Sequence, residues 1–317
     1  MIPSVARMEQ ARAACTEALK TDELAAAIEF LAGRGFSADR CLDLLRTTAE
    51  VQVAVADLVE LKRSALASSG PVAQPAVLER SLLIQGALRA VDKIQDLPVD
   101  ESVKKMFFKE FALYASPPVG AEDRFALTSF SFISMCRIIC QLRFPGGLLH
   151  WERSGFPRSW LKKIPRRFLL RTLRFILFEA RGFKPYMVWH LGGTVQKFPF
   201  LLEREVRKSF YRMAAAAELQ PEVKALMAGS WLISRETHRV SPHLEVLVRP
   251  FLEAGGIYTE RGPAHIADGF LAGDEVRKKL YEAGEYQPAF GVVICTREQA
   301  IAWKRTNEGL AAELDGR

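Results

Sequence analysis

Histidine and tryptophan are missing from the first 149 of the 317 residues, and all five of each fall between His150 and Trp303. A stretch without imidazole has no side chain that ordinarily titrates near neutral pH, so acid/base chemistry is expected in the second half. Glycine is scarce in front as well, with only Gly33, Gly35, Gly70 and Gly86 in residues 1–115. Gly33-Arg34-Gly35-Phe36-Ser37-Ala38 superficially matches a dinucleotide loop. It lies between two helical segments and not after a strand, so it reads as a helix–helix turn.

Cysteine numbers five, an odd count without a dense framework, which excludes a disulfide scaffold and points to a reducing compartment. Cys136 and Cys140 are spaced to share a helix face, but no second pair accompanies them and a zinc site is not implied. They are expected to be buried as small apolar groups. Long apolar runs are missing too. The amino terminus carries Arg7, Glu9 and Arg12, which does not fit a secretory signal, and residues 125–142 contain Arg137 and three serines. That segment reads as a buried element and not a transmembrane segment. A cytoplasmic location is the expectation.

What is present is a chain 49% apolar, enough for one large domain or two smaller ones. Apolar periodicity predicts helices over residues 22–31, after Ser37, over 77–94 and over 101–114, with a break at Ser68-Ser69-Gly70-Pro71. Beyond Ser116-Pro117-Pro118-Val119-Gly120 glycine, proline and aromatics multiply. Strands are expected at residues 148–152, 186–191, 257–260 and 288–296, and helices at 165–180, 200–219 and from Pro242. The class is therefore α+β: a helical N-terminal region, residues 1–116, followed by a mixed α/β domain, 117–317, with a small, partly antiparallel sheet and the site.

Three constellations can carry chemistry. The densest runs Ser230-Trp231-Leu232-Ile233-Ser234-Arg235-Glu236-Thr237-His238-Arg239-Val240-Ser241-Pro242-His243, read as a polar connection between apolar elements. Its bland reading is a loop with Ser241 capping a helix that Pro242 opens. Its functional reading makes His238 a general base tuned by Glu236 or Arg239, with His243 near a helix start where the neutral ring is favoured. Second, His150 and Glu152 flank Trp151; on a strand they share a face, as an acid/base pair or two legs of a metal triad would. Third, residues 162–184 carry eight basic side chains against the single acid Glu179. On a helix Arg167, Arg171 and Arg174 form one stripe opposite Leu169, Leu170, Leu173, Ile176 and Leu177, a ridge for a phosphate-bearing cofactor, an acidic carrier or an anionic lipid surface. A solvated basic face explains the same pattern. His190-Leu191-Gly192-Gly193 is a weaker signal, a strand-end histidine above a turn.

From Tyr186 onward the expected order is strand, helix, strand, helix, short strand, strong strand. That order is similar to the carboxy-terminal half of the GNAT acyltransferases, in which an acyl-CoA wedges between splayed strands. The family's pyrophosphate loop, Gln/Arg-x-x-Gly-x-Gly/Ala, is not matched: Leu191-Gly192-Gly193-Thr194-Val195-Gln196-Lys197 stands there. The leading expectation is an acyl- or group-transfer enzyme whose cleft is formed by the loops at His150, His190 and Glu236 to His243, with His238 or Glu152 as base. The arginine ridge of Arg167, Arg171 and Arg174 would hold an anionic small-molecule donor or an acidic carrier protein. The alternatives are a non-haem iron oxygenase built on His150, Glu152 and His238, and a non-enzymatic helical interaction protein. No cofactor is identified, and nucleic acid is disfavoured because no recognised nucleic-acid fold accompanies the basic helix.

Overall fold

The computed structural model describes residues 4–33, 39, 43, 75–116, 130–191, 203–263 and 275–314. The expected helix after Ser37, the break at residues 68–74, the boundary at 117–120 and the segment 192–197 lie outside these residues, apart from Asp39 and Asp43, which are helical. The fold is α+β, and the chain divides into two compact units. Residues 1–97 with 101–145 form one; 98–100 with 146–317 form the other.

The described part of the first unit is helical up to its last residues: α1 (Ser4–Ala18), α2 (Asp22–Ala32), α3 (Pro75–Ala90), α4 (Glu101–Ala115) and α5 (Phe130–Ile139), then a three-residue strand β1 (Arg143–Pro145). Its core is aromatic. Phe107, Phe111, Tyr114 and Phe144 are buried, and Phe107 meets Phe111 and Phe144 edge-on at 6.3 and 6.0 Å. Cys15, Cys136 and Cys140 are buried in this unit, and burial raises the Cys15 thiol to about 11, well outside the range of a reactive thiolate. Within the apolar run 125–142 the described residues form α5 from Phe130 to Ile139, whose charge Arg137 sits in its last turn.

The second unit is built on a mixed sheet of β2 (Leu149–Ser154), β3 (Tyr186–Leu191), β4 (Ala225–Ser230), β5 (Ile257–Pro263) and β6 (Ala289–Thr296). Their spatial order is β2-β3-β4-β6-β5, with β3 and β4 parallel and every other neighbouring pair antiparallel. The helix α8 (Glu203–Glu218) joins the parallel pair, as such a crossover requires. One face is covered by the segment 156–180, which contains α6 (Arg158–Leu161) and α7 (Arg166–Arg174) and buries Phe156, Ile164, Phe175 and Ile176 on Tyr186, Met227, Ile257 and Ile294. Elsewhere in the unit Phe210 of α8 packs edge-on against Phe251 and against Trp303 of α12 (Arg297–Thr306), at 4.7 and 4.9 Å. The shorter helices are α9 (Arg235–Val240), α10 (Arg249–Glu253), α11 (Glu275–Glu282) and α13 (Gly309–Leu314).

Local chemistry explains the boundaries. Thr296 ends β6 and opens α12 through a capping box, its hydroxyl accepting from the Gln299 amide at 3.1 Å while the Gln299 side chain accepts from the Thr296 amide at 2.8 Å. The polar run 235–240, expected as a loop, winds into α9 instead. Ser234 Oγ caps it by accepting from the Thr237 amide at 3.1 Å, and Glu236 in the first turn with Arg239 in the last suits the helix dipole. Ser241, the expected cap, makes no side-chain capping bond, and residues 242–247 form a 3-10 turn.

Gly291 allows the connection after β4 to lie directly on β6. A Cβ there would stand 2.6–2.7 Å from backbone atoms of Ile233 and Ser234, where no flexible side chain can yield. Gly291→Ala is therefore expected to lower stability by about 1–3 kcal/mol. Urea unfolding checks this, and an unchanged midpoint would show that the connection is free to lift away.

Candidate functional site

Strand alternation puts His150 and Glu152 on one face of β2, and the antiparallel register sets His150 opposite His190 and Glu152 opposite Val188. The structure thereby brings together three side chains that the sequence offered in two separate signals. His190 Nε2 stands 3.9 Å from Glu152 Oε2. Their exposures differ: His150 is buried, the Glu152 side chain is 12% exposed and that of His190 is 33% exposed. The imidazole that solvent or a substrate can reach is therefore His190, with a carboxylate in ion-pairing range behind it.

The adjoining strand makes this position unusual. β3 and β4 pair in register from Tyr186↔Ala225 to Trp189↔Ala228, and pairing stops there although β3 continues to Leu191 and β4 to Ser230. The parallel strands part beside His190. The next residue of β4, Gly229, has no side chain, and the rings of Trp160 and Phe290 occupy the space over it: a Cβ would meet Phe290 at 3.0 Å and Trp160 at 3.1 Å. These rings pack edge-on at 5.2 Å, and the Arg261 guanidinium lies 4.9 Å from Trp160 and 4.5 Å from Phe290. Burial lowers the Arg261 pKa from its ordinary value, although the group stays charged at any physiological pH.

The sheet end thus presents, in order, an imidazole–carboxylate pair, a gap between parallel strands, an aromatic wall and a cation. Arg261 on β5 lies three strand spacings from β3, about 14 Å. Such an arrangement can accept a proton at one end and hold an anionic group at the other. Sequence reasoning did not find Trp160, Phe290 or Arg261, because no short-range pattern links residues brought together by β5–β6 pairing and by the segment before α7.

The remaining candidates lie elsewhere. His238 is half-buried on α9, and its Nε2–H donates to the Leu232 carbonyl at 2.8 Å. Glu236 is exposed and pairs with Arg239 at 3.1 Å, and His243 is exposed in the 3-10 turn. His238 does not converge on His150 and Glu152 as the iron reading requires. Among the described residues no group of three His, Cys, Asp or Glu side chains is placed to hold a metal ion.

Arg167, Arg171 and Arg174 are exposed on α7, whose Thr172 hydroxyl bonds that of Thr259 on β5 at 3.1 Å. Arg171 and Arg174 line a shallow cavity of about 490 Å³ with Leu170, Glu179, Gly255 and Ile257, at the start of β5, where the registers set Ile257 level with Val188 and three strands across from β3.

No known protein family and no curated protein matches the chain. One solved structure, described as an acyltransferase in complex with decanoyl-CoA, is similar at a TM-score of 0.34 and 12% identity, over 82% of this chain and 99% of that one. A likeness of that strength carries no inference about chemistry.

The bond to Leu232 gives His238 a structural task that can be measured. Burial, the larger effect, lowers its pKa, while the bond to the Leu232 carbonyl and the Glu245 charge act the other way. A base with a lowered folded pKa adds stability above its unfolded pKa of about 6.5 and loses it as pH falls. His238→Ala should cost about 1–3 kcal/mol at neutral pH through the unpaired carbonyl and lost packing. The deficit should shrink between about pH 7 and pH 5. Urea titrations at both pH values test this, and a deficit independent of pH would contradict it.

Proposed function

We propose that the chain is an acyltransferase that takes its acyl group from a thioester bound where β3 and β4 part. The observation that carries this reading is the loss of parallel pairing after Trp189 and Ala228, directly beside the half-exposed His190 and its neighbour Glu152. A thioester carbonyl entering the gap could take hydrogen bonds from backbone N–H groups that no longer serve the ladder, which is where charge develops as the carbonyl is attacked. The element order from Tyr186, similar to that of the GNAT acyltransferases, in which an acyl-CoA wedges between splayed strands, supports the same reading.

In this reading His190 removes a proton from the acceptor amine or hydroxyl as that group attacks the carbonyl. The new C–N or C–O bond forms, the C–S bond breaks, and the proton passes to the leaving thiolate. Glu152 stabilises the protonated ring and fixes its orientation. Arg261, stacked on Trp160 and Phe290, receives an anionic group of one substrate three strands across from His190, about 14 Å between strand axes. The arginines of α7 have no part in this site.

Thiol release from acyl-CoA and from an acylated carrier protein, followed with a panel of amines, tests the proposal. His190→Gln should fold normally and lose about a hundredfold in kcat, as removal of a general base does. Glu152→Gln should lose less and shift the pH profile of kcat towards lower pH, because the imidazolium loses its carboxylate. Turnover that survives His190→Gln would remove the site, and the absence of turnover with any thioester would remove the reading.

A further inference from the structure

We infer that the exposed face running from α7 through residue 178 docks on an anionic phospholipid surface. Residues 175–179 continue α7 as a π-helical turn. The wider turn directs Phe175 and Ile176 into the core and leaves Leu177 and Phe178 in solvent. Leu170, expected on the buried face, also points outward: at 100° per residue it lies only 60° from Arg167, on the arginine side of the helix.

Leu170, Leu177 and Phe178 are 79%, 51% and 75% exposed, and they stand among the exposed Arg166, Arg167, Arg171 and Arg174. The only acid within residues 162–184 is Glu179, and Arg167 reaches Glu260 at 3.6 Å with its side chain still 72% exposed. The face as a whole remains cationic.

Three occupants can be compared on this chemistry. A second copy would set cationic face against cationic face, which repels. A protein partner is ordinarily met by an apolar centre depleted of charge and rimmed by polar groups, whereas here guanidinium and apolar side chains alternate. That alternation suits the bilayer interface, where Arg pairs with lipid phosphate while Leu and Phe enter the acyl boundary at the same depth. The cavity is lined by Arg171, Arg174 and the carboxylate of Glu179 beside Leu170 and Ile257; its two guanidiniums outnumber the one acid and can seat one phosphate with its glycerol end against apolar atoms. Among the described residues no helix is long and apolar enough to cross a membrane, so the contact proposed is one of lying on the surface. It is independent of the acyl-transfer reading.

Flotation of the full chain with vesicles tests this. Wild type should float with phosphatidylcholine vesicles containing phosphatidylglycerol, should stay behind with phosphatidylcholine alone, and should be released by salt. Two double variants separate the contributions, Leu177→Ser with Phe178→Ser and Arg171→Gln with Arg174→Gln, all at solvent-exposed positions where thermal melting should not change. Each should weaken binding by about tenfold or more. Failure to float with the anionic vesicles overturns the inference, as does wild-type flotation that the apolar double variant retains in full. Retention of polyglutamate through these arginines without vesicle binding would assign the face to an acidic protein and equally overturn it.

Discussion

The antiparallel register of β2 on β3 sets Trp151 opposite Trp189 and His150 opposite His190, and both tryptophans are nearly fully buried. A slip of one residue would exchange the two faces of β2, sending Trp151 to the side of Glu152 and burying the carboxylate in its place. Each tryptophan hides about 150–250 Å² of surface, which at about 25 cal/mol per Å² amounts to roughly 4–6 kcal/mol. Packing on one face therefore fixes the chemistry on the other. The histidines and Glu152 are where they are because the tryptophans cannot be elsewhere.

The same sheet explains why the site lies at one of its ends. Along most of their length β3, β4 and β6 are buried on both sides, as Met187, Leu226, Val293 and Ile294 show, and nothing polar could enter there. Beyond Ala228 the order changes. Gly229 removes a side chain, Trp160 and Phe290 fill the space above it, and Gly291 admits the backbone of Ile233. The parting of β3 from β4 is thus bordered by rings and backbone on one side and by His190 on the other.

Much of the architecture was legible because it rests on local periodicity. Tyr186–Leu191 was readable as a strand to its last residue, and α2, α3 and α4 followed from their apolar repeats and scarce glycine. His150 and Glu152 were readable as a pair because strand alternation is a local rule. What was not legible depends on pairing across the sheet. His190 was expected at the cleft as a strand-end residue but without a partner or a role until the register set it against His150 and near Glu152, and Arg261 gave no signal without Trp160 and Phe290. The run 234–243 misled in the other direction. Its density of polar residues is largely a cap, a short helix and an exposed ion pair, with Thr237 turned inward to Tyr286 at 2.9 Å.

Acyl transfer in this molecule depends on one location, the parted ends of β3 and β4, in the reading proposed. Amide hydrogen exchange with and without a non-hydrolysable acyl thioester analogue measures it directly. Among the amides of residues 189–191 and 228–230, those that face the gap should exchange readily in the free protein and become protected on binding, because the β3–β4 ladder stops at Trp189 and Ala228, while those paired to β2 and β6 stay protected throughout. Protection confined to α7 and the cavity at Arg171 and Arg174, with exchange at the strand ends unchanged, would contradict the account.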